Sequence, residues 1–167
     1  MLISLDIDNI DTNNVILGEK VENTIIQNSL FYRINYSTKY FSMNGIYICF
    51  TLKNVKPRIF YNKIKYDFNI KENNNIIQKI IDLEERLIKD NNIENKIKKY
   101  TIKDQLTNQN FKIFNTNTYF NYNYNKQNNF NYHNIDNNNF ILKISGFWEN
   151  TNEYGLTYKF INYKDNN

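Results

Sequence analysis

The side chains able to do acid–base, nucleophilic or metal chemistry are few and poorly grouped. His133 is the one histidine and Cys49 the one cysteine of the 167 residues. A Ser or Cys nucleophile needs a base within hydrogen-bond reach, held there by a third group. His133 lies in an Asn-rich run with no Ser or Cys nearby, so no such device is expected. Asp6, Asp8 and Asp11 have the spacing of a calcium loop, but the turn glycine and the closing bidentate Glu are missing. A solvated acidic turn is the simpler reading. Asp82, Glu84 and Glu85 fall on the polar face of an expected helix and read as solvated. One cysteine can form neither an internal disulfide nor a zinc cluster, and Cys49 reads as a buried thiol within a strand. GxGxxG, P-loop, HExxH and CxxC motifs are all absent. The chain therefore reads as non-enzymatic, with no catalytic residue, metal or cofactor.

Stacking and charge are better supplied. Lys and Arg number 21 against 17 Asp and Glu, a net charge of +4 with a pI near 8.9. That permits an anionic partner without requiring one. Aromatics make up 16% of the chain, and Ala is absent. Ile, Phe, Tyr, Asn and Lys dominate, and all are residues of AT-rich codons, so part of this bias reflects the genome. Against that background Phe31, Arg33, Tyr47, Lys53, Arg58, Tyr61, Lys63, Lys143, Phe147 and Lys159 fall opposite the main apolar set of the expected strands. Rings that stack on bases, beside cations that follow phosphates, bind single strands at roughly 1–3 kcal/mol per stacked base. The competing reading is that each ring packs against a helix or a second sheet. Lys53, Lys56, Arg58, Lys63 and Lys65 form the densest basic cluster before the helix.

The elements that must position these residues are mostly strands. Residues 140–163 read as a long hairpin with a break at 149–153. Phe140, Leu142, Ile144 and Trp148 share one side, and Lys143 and Ser145 the other; Leu156, Tyr158 and Phe160 oppose Thr157 and Lys159 in the same way. Further strands are expected at 29–36 and 46–53, and a hairpin or one bent strand at 58–70. Pro57 should mark a turn or the start of an edge strand. Residues 2–7 read as a short edge strand and 13–22 as a strand fragment that turns at Gly18. Residues 73–91 are the one convincing helix, with an Ile/Leu stripe and Asn75 and Gln78 as a capping box. Residues 94–104 extend that helix or lead into a strand at 111–114. Residues 115–139 are a low-complexity loop of Asn and Tyr, a second surface on which bases could stack.

Three segments carry a resemblance: FYRINYS at 31–37, MNGIYI at 43–48, and LKISGFWE with YGLTYKF at 142–149 and 154–160. They resemble small proteins of nucleocytoplasmic large DNA viruses, and OB-fold single-stranded DNA-binding proteins of DNA viruses and phages. The acidic C-terminal tail found in some of the latter has no counterpart in Lys164-Asp165-Asn166-Asn167. The expectation is one domain over 1–167, mainly β. It is an OB-like antiparallel barrel or sandwich of about five to six strands with one packed helix. The resemblance implies a single-stranded DNA-binding protein of viral replication, able to self-associate, in the host cytoplasm or the virion. A structural or interaction protein, such as a minor virion component, is the alternative. Neither a secretory leader nor a membrane span is expected.

Overall fold

Alternation of apolar and polar residues over the C-terminal third produces two long strands that organise the sheet. The computed structural model describes residues 4–91, 93, 95–114 and 135–162; His133 and most of the Asn/Tyr-rich stretch lie outside them. Strand β8 (Ile135–Glu149) begins within what reads as loop, and it pairs antiparallel with β9 (Glu153–Asn162). Their turn is closed by Asn150, whose side chain accepts the N–H of Asn152 and of Glu153.

Both edges of β8 are used. One edge is taken by β9. The other is shared end to end by β4 (Ile46–Phe60), along Ile135 to Ile144, and by β2 (Leu30–Ser37), along Gly146 to Glu149. The changeover falls at Ser145, an extra residue that breaks the register between Ile144 and Gly146. A bulge of one residue reverses the facing of everything beyond it. Phe147 therefore turns inward, 1% exposed, and Trp148 turns outward, the reverse of the unbroken alternation.

The remaining strands extend this frame. β1 (Val15–Glu22) pairs with β2 and runs on through Gly18 as a bulge, where a turn was expected. β3 (Ser42–Asn44) also pairs with β2. β4 continues straight through Pro57 and forms a hairpin with β5 (Lys63–Asp67), which pairs in turn with β7 (Asn110–Phe114). Pro57 is tolerated because it stands just past the part of β4 that pairs with β8. β6 (Ile97–Lys99) adds a short parallel pairing to β9. Residues 2–7 form no regular strand among the described residues; Leu5 makes a single bridge to Ile48, and 3-10 turns follow at Ile7–Asn9 and Thr12–Asn14.

The sheet is mainly antiparallel and does not close into a barrel. The run β9–β8–β4–β5–β7 is antiparallel at every step. An odd run of that kind leaves its two end strands pointing the same way. Closure would need a parallel pairing, with its slanted and weaker bonds, from a β7 of only five residues. The ends touch through stacked rings, Phe111 on Phe160 at 4.4 Å, without a strand ladder.

Helix α1 (Asn74–Asp90) sets Ile77, Ile80, Ile81, Leu83, Leu87 and Ile88 into the core against the inward residues of the sheet. Its N-cap is Asn73, not Asn75, and Asn73 does not cap with its side chain. That amide instead brackets β4, accepting the N–H of Lys53 at 2.7 Å and donating to the Lys53 carbonyl at 3.2 Å. Gln78 bonds Asp82 instead of closing a capping box. A second helix, α2 (Thr101–Thr107), precedes β7; the helical reading of 94–104 holds only from Thr101, as a separate element after β6. At seven residues it is too short for a periodic stripe to show.

Gly146 is where the bulge brings backbones close. A Cβ there would stand 2.1 Å from the Tyr32 carbonyl oxygen and 2.6 Å from the Phe31 ring. The carbonyl is backbone and cannot step aside. Gly146→Ala should cost on the order of 2–3 kcal/mol. That corresponds to a fall in Tm of roughly 5–10 °C by calorimetry, while the same change at Gly18, where a Cβ would meet nothing closer than 3.5 Å, should shift it far less.

Candidate nucleic-acid interface

β4, β5 and β7 form a three-stranded arm whose two faces differ sharply. Pro57, Ile59, Ile64, Tyr66, Phe111 and Ile113 alternate onto the inner face. The outer face carries three cross-strand rungs: Phe60–Lys63–Phe114, Arg58–Lys65–Lys112 and Lys56–Asp67–Asn110. Asp67 is the one carboxylate in these three strands. It binds Arg58 at 2.6 Å and Lys65 at 3.4 Å. Burial pulls its pKa up, but the two cations overcome that and hold the carboxyl below its usual range.

Rings stand beside these cations. The two-residue hairpin turn begins at Tyr61, which has φ +54° and is 88% exposed. A β-hairpin turn of this kind demands a left-handed residue, which is ordinarily Gly, Asn or Asp. Phe60 meets the Tyr61 ring edge-on at 5.0 Å. Lys63 lies 4.3 Å from the Phe114 ring centroid and Lys112 lies 4.2 Å from that of Phe60. Phe114 is 62% exposed.

A second basic rung crosses β4–β8–β9, where Tyr47, Lys143 and Lys159 are directly aligned. Lys143 lies 4.9 Å from the Tyr47 ring centroid, and neither lysine is ion-paired to a described carboxylate. Between this rung and the arm a cleft of about 900 Å³ follows the unpaired edges of β7 and β9. Lys63, Lys112, Lys159, Phe114, Trp148 and Tyr158 line it, and no described carboxylate does. The cleft follows β9 over Leu156 to Asn162, about 20 Å of strand.

The residues singled out from sequence divide accordingly. Lys53, Arg58, Tyr61 and Lys63 lie along β4 and its hairpin, and Tyr47, Lys143 and Lys159 form the second rung. Arg33 is exposed on β2, apart from the arm, and Phe31 is half-buried with its ring over Gly146. Phe147 cannot offer its ring to a base, because the bulge turns it into the core. Sequence reading missed Phe60, Lys112 and Phe114. The alternation of Phe111-Lys112-Ile113-Phe114 was the available signal, since it sets Lys112 and Phe114 on one side. Cys49 is exposed on β4, not buried. The acidic turn holds no metal cluster among the described residues; Asp6 and Asp11 cap 3-10 turns and Asp8 pairs with Lys79 at 2.6 Å.

Two glutamates are buried among the described residues. Glu84 is not solvated as expected; it is 0% exposed and accepts the N–H of Ile102 at 3.0 Å and of Lys103 at 2.7 Å. Burial is the largest influence on it and outweighs those bonds, pushing its pKa up to about 7, with Asp104 and Glu85 adding to the rise. Glu149, next to Trp148, receives Tyr32 Oη at 2.7 Å and the ammonium groups of Lys20 and Lys96, each at 2.6 Å. Burial works to raise its pKa too, but these donors overcome it and hold the carboxyl at about 2. Glu149 thereby fastens β1, β2 and the segment after α1 to the end of β8.

No protein-family model matches the chain, and comparison with curated proteins and with solved structures gives no match. No described helix is long and apolar enough to cross a membrane.

The pH dependence of stability follows from Glu149. Its folded pKa is depressed, so its contribution is complete above pH 4.5 and is lost as pH falls towards 2. Glu149→Gln should cost about 2 kcal/mol at pH 7, less than for an enclosed pair because Lys20 is half exposed. Thermal melts from pH 5 to pH 2 should show a steeper fall for the wild type than for the variant.

Proposed function

We propose that this protein binds single-stranded nucleic acid across the outer face of the β4–β5–β7 arm and into the cleft beside β9. The observation that carries this reading is the cations left uncompensated on these rungs: Asp67 engages Arg58 and Lys65, but no described carboxylate pairs with Lys112 opposite them or with Lys143 and Lys159. Like charges directly opposite one another destabilise a sheet, and folding alone has no use for them. A polyanion laid across the rungs reverses the sign of that interaction. The exposed rings of Phe60, Tyr61 and Phe114 beside these cations supply stacking faces. This combination accepts any base, so little sequence preference is expected.

Fluorescence anisotropy with labelled oligo-dT at two salt concentrations tests the reading. Affinity should fall as salt rises. Combining Lys63→Glu with Lys112→Glu should weaken binding at low salt by at least about 10-fold and flatten the salt slope by roughly 0.7 for each phosphate contact removed. Phe114→Ala should lose about 1–3 kcal/mol if one base stacks there. Lys89→Glu, on the exposed side of α1, is the control and should change little. Wild-type protein that fails to bind at low salt, or a double variant that binds as tightly as wild type, would sink the proposal.

A second prediction separates binding from folding. Lys159→Glu converts the Lys143–Lys159 rung into an opposite-charge pair. It should stabilise the free protein by about 0.2–1 kcal/mol while weakening oligonucleotide binding. A rise in Tm together with a loss of affinity is the expected pattern; loss of both would mean that Lys159 serves the fold.

A further inference from the structure

The cationic arm ends on β7, and only Asn108 and Gln109 separate β7 from α2. What holds α2 therefore holds the strand that carries Lys112 and Phe114. α2 is seven residues long and its N-cap, Tyr100, makes no side-chain capping bond. A helix that short does not stand alone. Glu84 of α1 supplies the missing cap through the N–H groups of Ile102 and Lys103. A second tie comes from β9, where the Tyr158 hydroxyl donates to the Thr101 carbonyl at 3.1 Å. Tyr158 and Gln105 of α2 both line the cleft.

The surroundings of Glu84 do not favour a charge. Asp104 of α2 and the adjacent Glu85 of its own helix both add negative charge nearby. Lys103, the nearby cation, sends its ammonium to Glu85 at 2.8 Å. Tyr158 on β9 is neutral at physiological pH, with its phenol pushed up to about 12 by burial. The inward residues of β4 are apolar, and Asp8, from the turn that packs on α1, is engaged by Lys79. Lifting α2 would return a charged Glu84 to water, at the cost of exposing Ile102 and Leu106.

We propose that Glu84 is a proton-operated latch on α2, so that protonation seats α2 and β7 firmly and strengthens binding of the single strand at the arm. The proposal rests on the binding reading above for its ligand, but not for the motion of α2. The sign follows from linkage. The carboxyl holds its proton more tightly when α2 is seated than when it is open to water. Opening is therefore hardest below about pH 4.5 and becomes easier as pH rises to about 7, after which it levels off.

Hydrogen exchange at the amides of α2, corrected for the intrinsic pH dependence, measures this opening directly. Between pH 5 and pH 7.5 the opening constant of the wild type should rise on the order of 50-fold. Glu84→Gln keeps the shape and removes the titration, so its opening constant should stay constant. Tyr158→Phe cuts the other tie and should raise opening at both pH values while keeping the step. Oligo-dT should bind the wild type several-fold more tightly at pH 5 than at pH 7.5, and Glu84→Gln equally at both. His133→Gln should keep the wild-type difference, which excludes the one histidine as its source.

A wild type without the exchange step, or a Glu84→Gln protein that retains it, overturns the latch whatever the nucleic acid does. An exchange step with pH-independent affinity overturns its coupling to binding. An exchange step with no oligonucleotide binding at either pH supports the latch and overturns the binding reading instead.

Discussion

Backbone hydrogen bonding along both edges of β8 is the constraint on which the rest of the fold depends. One edge meets β9 from Phe140 to Glu149, and the other meets β4 and then β2 in succession. The handover from β4 to β2 works because Ser145 is extra and Gly146 has no side chain. With β8 enclosed, the unpaired backbone edges fall on the outer strands, among them β7 and β9, where the sheet could have closed. An unpaired edge must be hydrated, covered or bound. The cleft lies along those two edges, so the topology that builds the core also builds the opening.

Charge is distributed unevenly over this frame. Carboxylates sit where they tie segments together: Glu149 at the end of β8, Glu84 under α2 and Asp67 at the foot of the arm. Lys112, Lys143 and Lys159 each stand opposite another lysine and pair with no described carboxylate. A protein selected for stability alone would intersperse the two signs along the sheet. The unpaired lysines are the part of this distribution that the proposed anionic partner would use, and the mild net charge of +4 does not reveal them.

Much of the architecture was legible from period alone. The β8–β9 hairpin, the strand at 29–36 and α1 follow from alternation at two residues or recurrence at helical spacing. The facing of Trp148 and Phe147 was not legible, because one extra residue at Ser145 reverses the pattern without leaving a local signature. Glu84 was misread for a different reason. It stands three or four residues from Ile80, Ile81, Leu87 and Ile88, in the middle of the apolar stripe, so the spacing marked it as interior and its charge was given too much weight. Cys49 alternates outward with Tyr47 and Thr51, and its side of the strand was a better guide than the habits of its residue type. The basic cluster at 53–65 was visible as composition; its opposition to Lys112 became visible only once β7 was placed beside β5.

The most direct test of the central claim is a two-dimensional NMR titration of labelled protein with oligo-dT, read residue by residue. Shifts concentrated on Lys56 to Lys65, Lys112 to Phe114 and Thr157 to Asn162 would support the outer face of the arm and the adjoining cleft as the binding surface. Shifts confined to β1 or to the exposed side of α1, with the arm unmoved, would contradict it.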